Sequence, residues 1–350
     1  MYFTTTLSAQ QPLFPTLTGN ELLEAVQDAY TPASVLPFNE SRDSLFGSVY
    51  KTNDSLYCVY TGWPVYLAPN EDPTQAAYQG GQGINTEHAW PQTFGAGIEP
   101  ARADMHHLFP TRADVNGARG NLPFGDINDS QTDRWYFMNN ELSNPPSNNR
   151  DSYSEYFQNI AFEPREDFKG NIARAMMYFY TIYRSRAEAE GPNFFSAQRE
   201  TFCDWHALDP VDELEWVRTF RIANFQDGKA NPFILDCTLA ERLYCPNLVV
   251  DNCFTSATQQ PGTLPLAASV APNPLPDGHG QLKITCLAAG DLTVNYTDAL
   301  GRRVQQEKLY IGAGEQQLSL QLPHSGMWFL DVQLDAGGER YSVVLKVMEM

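Results

Sequence analysis

The stretch INTEHAWPQTFG, Ile84–Gly95, sets a carboxylate beside an imidazole, Glu87 and His88, just ahead of Trp90-Pro91. A second stretch, DMHHLFPTRADVNGARGNLPFG, Asp104–Gly125, gathers Asp104, His106, His107, Arg112, Asp114, Asn116, Arg119 and Asn121. Three of the six histidines of the chain, His88, His106 and His107, therefore fall close together. These side chains suit hydrolysis of a phosphodiester. A neutral imidazole of pKa about 6.5 takes a proton from water near neutral pH. A hard divalent cation on oxygen ligands stabilises the phosphate and the leaving oxygen. One carboxylate and one carboxamide leave most of its shell to water and substrate, and an arginine fork clamps phosphate oxygens. The rival metal reading is a zinc site of His88, His106 and His107, because imidazole favours zinc.

The elements that carry these groups are constrained. Neighbouring residues of a strand point to opposite faces, so Glu87 and His88 serve one site only where the strand ends or bends, and Pro91 supplies a reason for that. A helix of about two turns after Pro110 places Asn116 and Arg119 on one face. Around this centre the pattern predicts a helix at Asn20–Tyr30 and a strand pair over Ser48–Tyr60 turning near Asn53-Asp54. It also predicts a long core helix over Asp167–Glu190 and a helix over Asp212–Phe225. The Asn-, Ser- and Pro-rich region from 130 to 165 reads as mostly loop.

With NTEHAWPQTFG, ADMHHLFPTRADVNGARGNLPFG and QDGKANPF in place, the chain resembles the bacterial endonuclease I family over Gln82–Asp236. The resemblance implies a secreted or periplasmic non-specific nuclease with a ββα-metal core, acting on DNA, RNA or both. It implies Glu87 and Asn116 as Mg²⁺ ligands, with Mn²⁺ or Ca²⁺ as substitutes, and His88 as the general base on water. Arg119 would contact phosphate or brace the site. Asp104, His106, His107 and Asn121 would support it, and Gln226 and Asn231 of the third motif would be nearby polar anchors. In several members of the family a basic residue that binds the product phosphate lies in the insert between the first two motifs. Here that insert, Phe94–Ala103, is short and Arg102 is its one cation. Two other readings stand beside this one: a secreted ribonuclease of the same family, and a surface binding protein on a nuclease scaffold without activity.

The whole-chain numbers set the frame. A chain of 350 residues with 42% hydrophobic and 12% aromatic residues has ample core and reads as more than one domain. Its net charge of −19 argues against a broad polyanion-binding face. It leaves room for local cations or a metal, and fits solubility in an extracellular setting. The six cysteines form no CxxC pair and suit disulfides of an exported protein, with a local bridge expected among Cys237, Cys245 and Cys253. No stretch is long and apolar enough to span a membrane.

Residues 1–19, with the LSAQ sequence that looks like the tail of a signal peptide, read as a leader remnant, and 20–252 as the catalytic domain. The Thr-, Ala- and Pro-rich residues 253–271 read as a linker. From 272 to 350, short alternating segments predict a small all-β sandwich. The fold class is thus an α+β ββα-metal nuclease core with flanking helices, followed by that sandwich. APNPLPDG, DALGRRV, LPHSGMWFLDV and SVVLKV in the last region resemble a type IX secretion C-terminal sorting domain. This implies a secreted or cell-surface protein that engages secretion machinery. A carbohydrate-binding module is the alternative for this region, and the chain is expected to be a monomer.

Overall fold

The computed structural model describes residues 10–248 apart from 11 and 53, and then residues 266–271, 275–286, 289–298, 303–336 and 339–349. They divide into two compact units, one spanning Gln10–Cys253 and the other formed from the chain after it.

The first unit begins with helix α1, Gly19–Tyr30, whose buried Leu22 and Val26 are the expected stripe. Helix α2, Phe38–Ser44, runs into a π-helical turn at Leu45–Val49. Here the expected strand pair is displaced. Leu45, Phe46 and Val49 bury themselves at helical spacing, so helical periodicity wins over alternation at Ser48 and Val49. The strands that do pair are β1, Ser55–Tyr57, and β2, Pro64–Tyr66. Helix α3, Pro73–Tyr78, leads to β3, Ile84–His88, and the approach is tight. A Cβ on Gly83 would lie 2.0 Å from the carbonyl oxygen of Ala77, so only glycine fits there. Strand β4, Leu108–Arg112, pairs antiparallel with β3 from Ile84 opposite Arg112 to His88 opposite Leu108. Helix α4, Ala113–Arg119, follows at once.

The region from 130 to 165 is a sheet, where mostly loop was expected. Strands β5 (Arg134–Phe137), β6 (Asn140–Leu142), β7 (Ser154–Phe157) and β8 (Ala161–Glu163) pair antiparallel in the order β6-β5-β7-β8. Trp135, Tyr136 and Phe162 are buried in it. The Asn, Ser and Pro residues gather in the β6–β7 connection, 143–149, and diluted the strand signal of their neighbours.

Helix α5, Lys169–Ile182, is buried along nearly its whole length. The single helix expected over Asp167–Glu190 is broken at Tyr183, whose φ of −111° and ψ of 32° are not helical, before α6, Arg184–Glu190. Helices α7 (Arg199–Leu208), α8 (Glu213–Ala223), α9 (Pro232–Leu235) and α10 (Thr238–Leu243) complete the layer around α5. Cys245 pairs with Cys203, 42 residues away and outside the group of three. Cys237 is also disulfide-bonded, and Cys253 lies outside the described residues. Residues 12–17, placed with the leader on sequence, are docked. Arg242 donates to the carbonyls of Leu13, Phe14 and Leu17, and Leu13 N–H donates to the Asp236 carboxylate.

The second unit is all β. Strands β9 (Leu266–Ala271), β10 (His279–Cys286) and β13 (Gly314–Gln321) form one antiparallel sheet, ordered β13-β10-β9. Strands β11 (Gly290–Asp298), β12 (Arg303–Ile311), β14 (Met327–Ala336) and β15 (Glu339–Met348) form the other, ordered β12-β11-β14-β15. Leu282 and Ile284 of the first sheet share one core with Leu292, Val294, Leu330 and Val332 of the second. The sandwich thus starts earlier than expected, since β9 occupies the last residues assigned to the linker. The rest of that linker, and residues 1–9 of the leader, lie outside the described residues. Among the described residues no helix is long and apolar enough to cross a membrane.

Candidate active site

Strand β3 ends at His88, where the expected break was needed. The residue is 7% exposed. Its Nε2 stands 3.0 Å from the carbonyl oxygen of Arg102. An imidazole nitrogen meets a carbonyl as an N–H donor, so the proton is assigned to Nε2 and Nδ1 keeps its lone pair. Gln92 Nε2 lies 3.5 Å from that Nδ1. Burial, and then the adjacent His107 imidazole and the charges of Arg102 and Arg119, push the His88 pKa down to about 3, although the Arg102 carbonyl works the other way. The ring is held neutral, with one nitrogen oriented by backbone and the other able to accept a proton.

Glu87 is enclosed differently. Its Oε1 accepts from the Tyr60 hydroxyl and from Arg119 Nη1, each at 3.0 Å. Burial raises its pKa to about 6, against the pull of Arg119 and Tyr60. Arg119 is fully buried and ties three points together. Beyond Glu87, its Nη1 donates to the His88 carbonyl at 2.9 Å and its Nη2 to the Ala89 carbonyl at 2.6 Å, while the guanidinium lies over the Phe124 ring. Of its two expected roles, this geometry matches the brace, because a guanidinium without exposed surface offers no face to a phosphate.

Asn116 reaches the same strand. Its Nδ2 donates to Asn85 Oδ1 at 2.6 Å, and Asn85 lies two residues before Glu87, on the same face of β3. The bond uses the amide nitrogen and leaves the amide oxygen as a donor to a cation. Carboxylate and carboxamide oxygens are the donor set of a hard divalent ion, so Glu87 and Asn116 fit one. The rival zinc site is not formed: the described residues hold no cluster of three His, Cys, Asp or Glu suited to a metal. The Nε2 atoms of His88, His106 and His107 turn to three different carbonyls, those of Arg102, Lys229 and Ala101.

The supporting residues form a clamp behind the 98–108 loop. Asp104 is fully buried and accepts from the hydroxyls of Tyr178 and Tyr183, both at 2.8 Å, and from Gln226 Nε2 at 2.9 Å. Gln226 Oε1 accepts from Met105 N–H at 2.7 Å. Tyr183 is the residue at the break between α5 and α6. Arg218 donates to the carbonyls of Met105 and His106, and His107 Nε2 holds the Ala101 carbonyl at 2.7 Å. All this fixes the backbone whose Arg102 carbonyl orients His88. Burial pushes His106 and His107 down to about 4, the Asp104 charge opposing it, so both are neutral braces.

Two expected residues stand apart. Asn121 is exposed in the turn after α4, and Asn231 caps α9 and donates to the Arg174 carbonyl in α5. Sequence reasoning missed Tyr60, Asn85, Phe38 and Arg218. Gln92 lies inside the first motif and was readable there. Asn85 lies there too, whereas Tyr60, Phe38 and Arg218 come from distant segments and carry no motif of their own.

This strand–strand–helix site is nuclease-like in its residue types, and the comparisons agree. The profile of the endonuclease I family matches residues 19–237; the chain belongs to the endonuclease I family. It is 28% identical over 184 residues to an "Extracellular ribonuclease" of Bacillus subtilis (strain 168), covering 49% of this chain and 57% of that one. It is 31% identical over 131 residues to a "Periplasmic deoxyribonuclease" of Aeromonas hydrophila, covering 37% and 46%. An "Extracellular deoxyribonuclease" of Aeromonas hydrophila is 30% identical over 131 residues, covering 37% and 48%. The chain thus spans about half the length of these curated relatives.

Proposed function

We propose that this protein is a secreted, metal-dependent endonuclease that hydrolyses phosphodiester bonds of DNA, RNA or both without sequence specificity. The observation that carries the reading is His88, neutral, with Nε2 fixed on a backbone carbonyl and Nδ1 left as acceptor, next in sequence to the carboxylate of Glu87. His88 takes a proton from the attacking water at Nδ1. Arg119 holds the Glu87 carboxylate and the backbone of residues 88 and 89 in one geometry. Glu87 and Asn116 would hold Mg²⁺, or Mn²⁺ or Ca²⁺ in its place. A cation bound there would neutralise charge on the phosphate and on the departing oxygen. The names of the relatives support secretion, and the ribonuclease among them aligns over more residues than either deoxyribonuclease, which favours an RNA substrate as the second reading. The C-terminal unit would serve the secretion machinery as a sorting domain. Its Trp328 is fully buried in the sandwich core, which removes it as a platform for sugar.

Supercoiled plasmid, single-stranded DNA and RNA, each incubated with the full chain in Mg²⁺ and in EDTA, test the reading. Cleavage is expected in Mg²⁺ alone, with a loss of roughly 10²–10⁴-fold in His88→Ala. Cleavage of one substrate class would fix the substrate. Intact substrates in every lane would leave a nuclease scaffold that binds without cutting.

A further inference from the structure

Nearly every arginine of the first unit is spoken for. Arg112, Arg119, Arg134, Arg150, Arg165, Arg174, Arg184 and Arg242 meet carboxylates. Arg186, Arg218 and Arg221 donate to backbone carbonyls, and Arg199 stands 3.9 Å from Glu200. In a chain with 42 acidic residues this is the ordinary outcome. Arg42 and Arg102 depart from it, since neither guanidinium has a carboxylate or carbonyl partner among the described residues. The Nε of each is buried without a hydrogen bond, as it is in Arg119 and Arg218, so what sets this pair apart is the missing acceptor for the guanidinium as a whole.

Both lie at one place. The Arg102 guanidinium carbon is 4.3 Å from the centre of the Phe38 ring, and that of Arg42 is 5.2 Å from the same centre. The Phe38 ring in turn packs on His88, with centroids 5.4 Å apart. The arrangement is built: Phe38 opens α2, Arg42 lies one turn on along it, and Phe38 N–H donates to the Glu99 carboxylate, three residues before Arg102. Stacking on an aromatic face orients a guanidinium while leaving its N–H edge free. Two oriented cations without protein acceptors, beside a proton-accepting imidazole, match the charge and fork geometry of a phosphate.

We propose that Arg42 joins Arg102, the insert cation for which the family resemblance already implies phosphate contact, in a clamp aligned by Phe38 that holds the nucleic-acid backbone against His88. Arg42 brings to the site a helix that no motif of the sequence marks. This inference rests on the nuclease reading above and adds Arg42 to the residues that bind its substrate.

The test is binding without turnover. The full chain in EDTA is titrated into a fluorescein-labelled twelve-nucleotide DNA and the matching RNA, across a series of salt concentrations, with the probes checked for intactness. Arg42→Gln is expected to weaken binding about tenfold and to lower the slope of log affinity against log salt by about 1. Arg42→Lys should keep the slope while binding less tightly, because it retains charge and loses the fork. Arg134→Gln, at an exposed ion pair with Glu141, should match the parent. A parent-like affinity and slope in Arg42→Gln, in a protein that cleaves in Mg²⁺, would overturn the clamp and leave the nuclease reading intact. Weakened binding with an unchanged slope would overturn it too, since that marks a packing effect. A parent that binds neither probe and cuts no nucleic acid would remove both proposals.

Discussion

The two units bury different things. The first encloses Glu87, Asp104, Arg119, Arg174, Glu215 and Arg218 at 5% exposure or less, each hydrogen-bonded. The second fills its core with Leu, Ile, Val and Trp. Its polar ladder of Asn295, Gln306, Asp331 and Gln333 sits on the face opposite the inward Val294, Val332 and Leu334, as strand alternation requires. Buried charge costs stability unless fully partnered, so a fold keeps it where position matters more than stability. In the first unit the buried charges hold backbone: the carbonyls of residues 88, 89, 105, 106 and 209 all receive guanidinium N–H groups. Among its described residues the second unit buries one carboxylate to that degree, Asp298, and apolar alternation builds most of its core.

Breaking one buried charge pair should show this difference most clearly. Arg174 donates to both oxygens of Glu215, and both side chains are buried. Arg174→Ala strands that carboxylate and should cost the first unit roughly 3–5 kcal/mol. In urea titration of the full chain, only the transition of the first unit should move to lower urea. A parent-like midpoint would mean that the buried pair contributes nothing.

A smaller effect comes from Glu155. Burial, helped by the nearby charge of Glu163, raises its pKa from 4.5 to about 8, with the Thr132 hydroxyl and Lys169 opposing. The folded state therefore holds a proton that the unfolded chain releases. The stability from this group is complete below about pH 4.5 and is lost as pH rises through about 8. Unfolding measured from pH 5 to pH 8 should show the first unit weakening as pH rises, with a flatter profile in Glu155→Gln. Identical slopes in parent and variant would assign the pH dependence elsewhere.

The smallest expected effect tests the separateness of the units. A chain ending at residue 253 should cleave with unchanged rate constants, because the site residues all belong to the first unit. A large loss of kcat in the shortened chain would show that the β unit takes part in catalysis.

How much of this was legible in the sequence follows from the range of the interactions. The sandwich strands were readable because alternation is a local signal, and the stripe of α1 likewise. The loop reading of 130–165 failed because short strands beside an Asn- and Pro-rich connection leave little local pattern. The break at Tyr183 was invisible because the apolar pattern runs through it, and the contact of its hydroxyl with Asp104, far away in the chain, has no local signature. Cys245 pairs across 42 residues, and spacing alone pointed to nearer partners.

By itself the sequence determined the chemical inventory, Glu87 beside His88 with Asn116 and Arg119 downstream, and the strand, strand and short helix that carry them. The tertiary structure decided what those groups are able to do. It seats Arg119 inside as a brace and turns each histidine to its own carbonyl. It fixes the His88 proton on Nε2 through residue 102, and brings Arg42 to the site on a helix from elsewhere in the chain. Residue type is a local property, but protonation, burial and partnership depend on which distant segments meet, and only the folded chain specifies that.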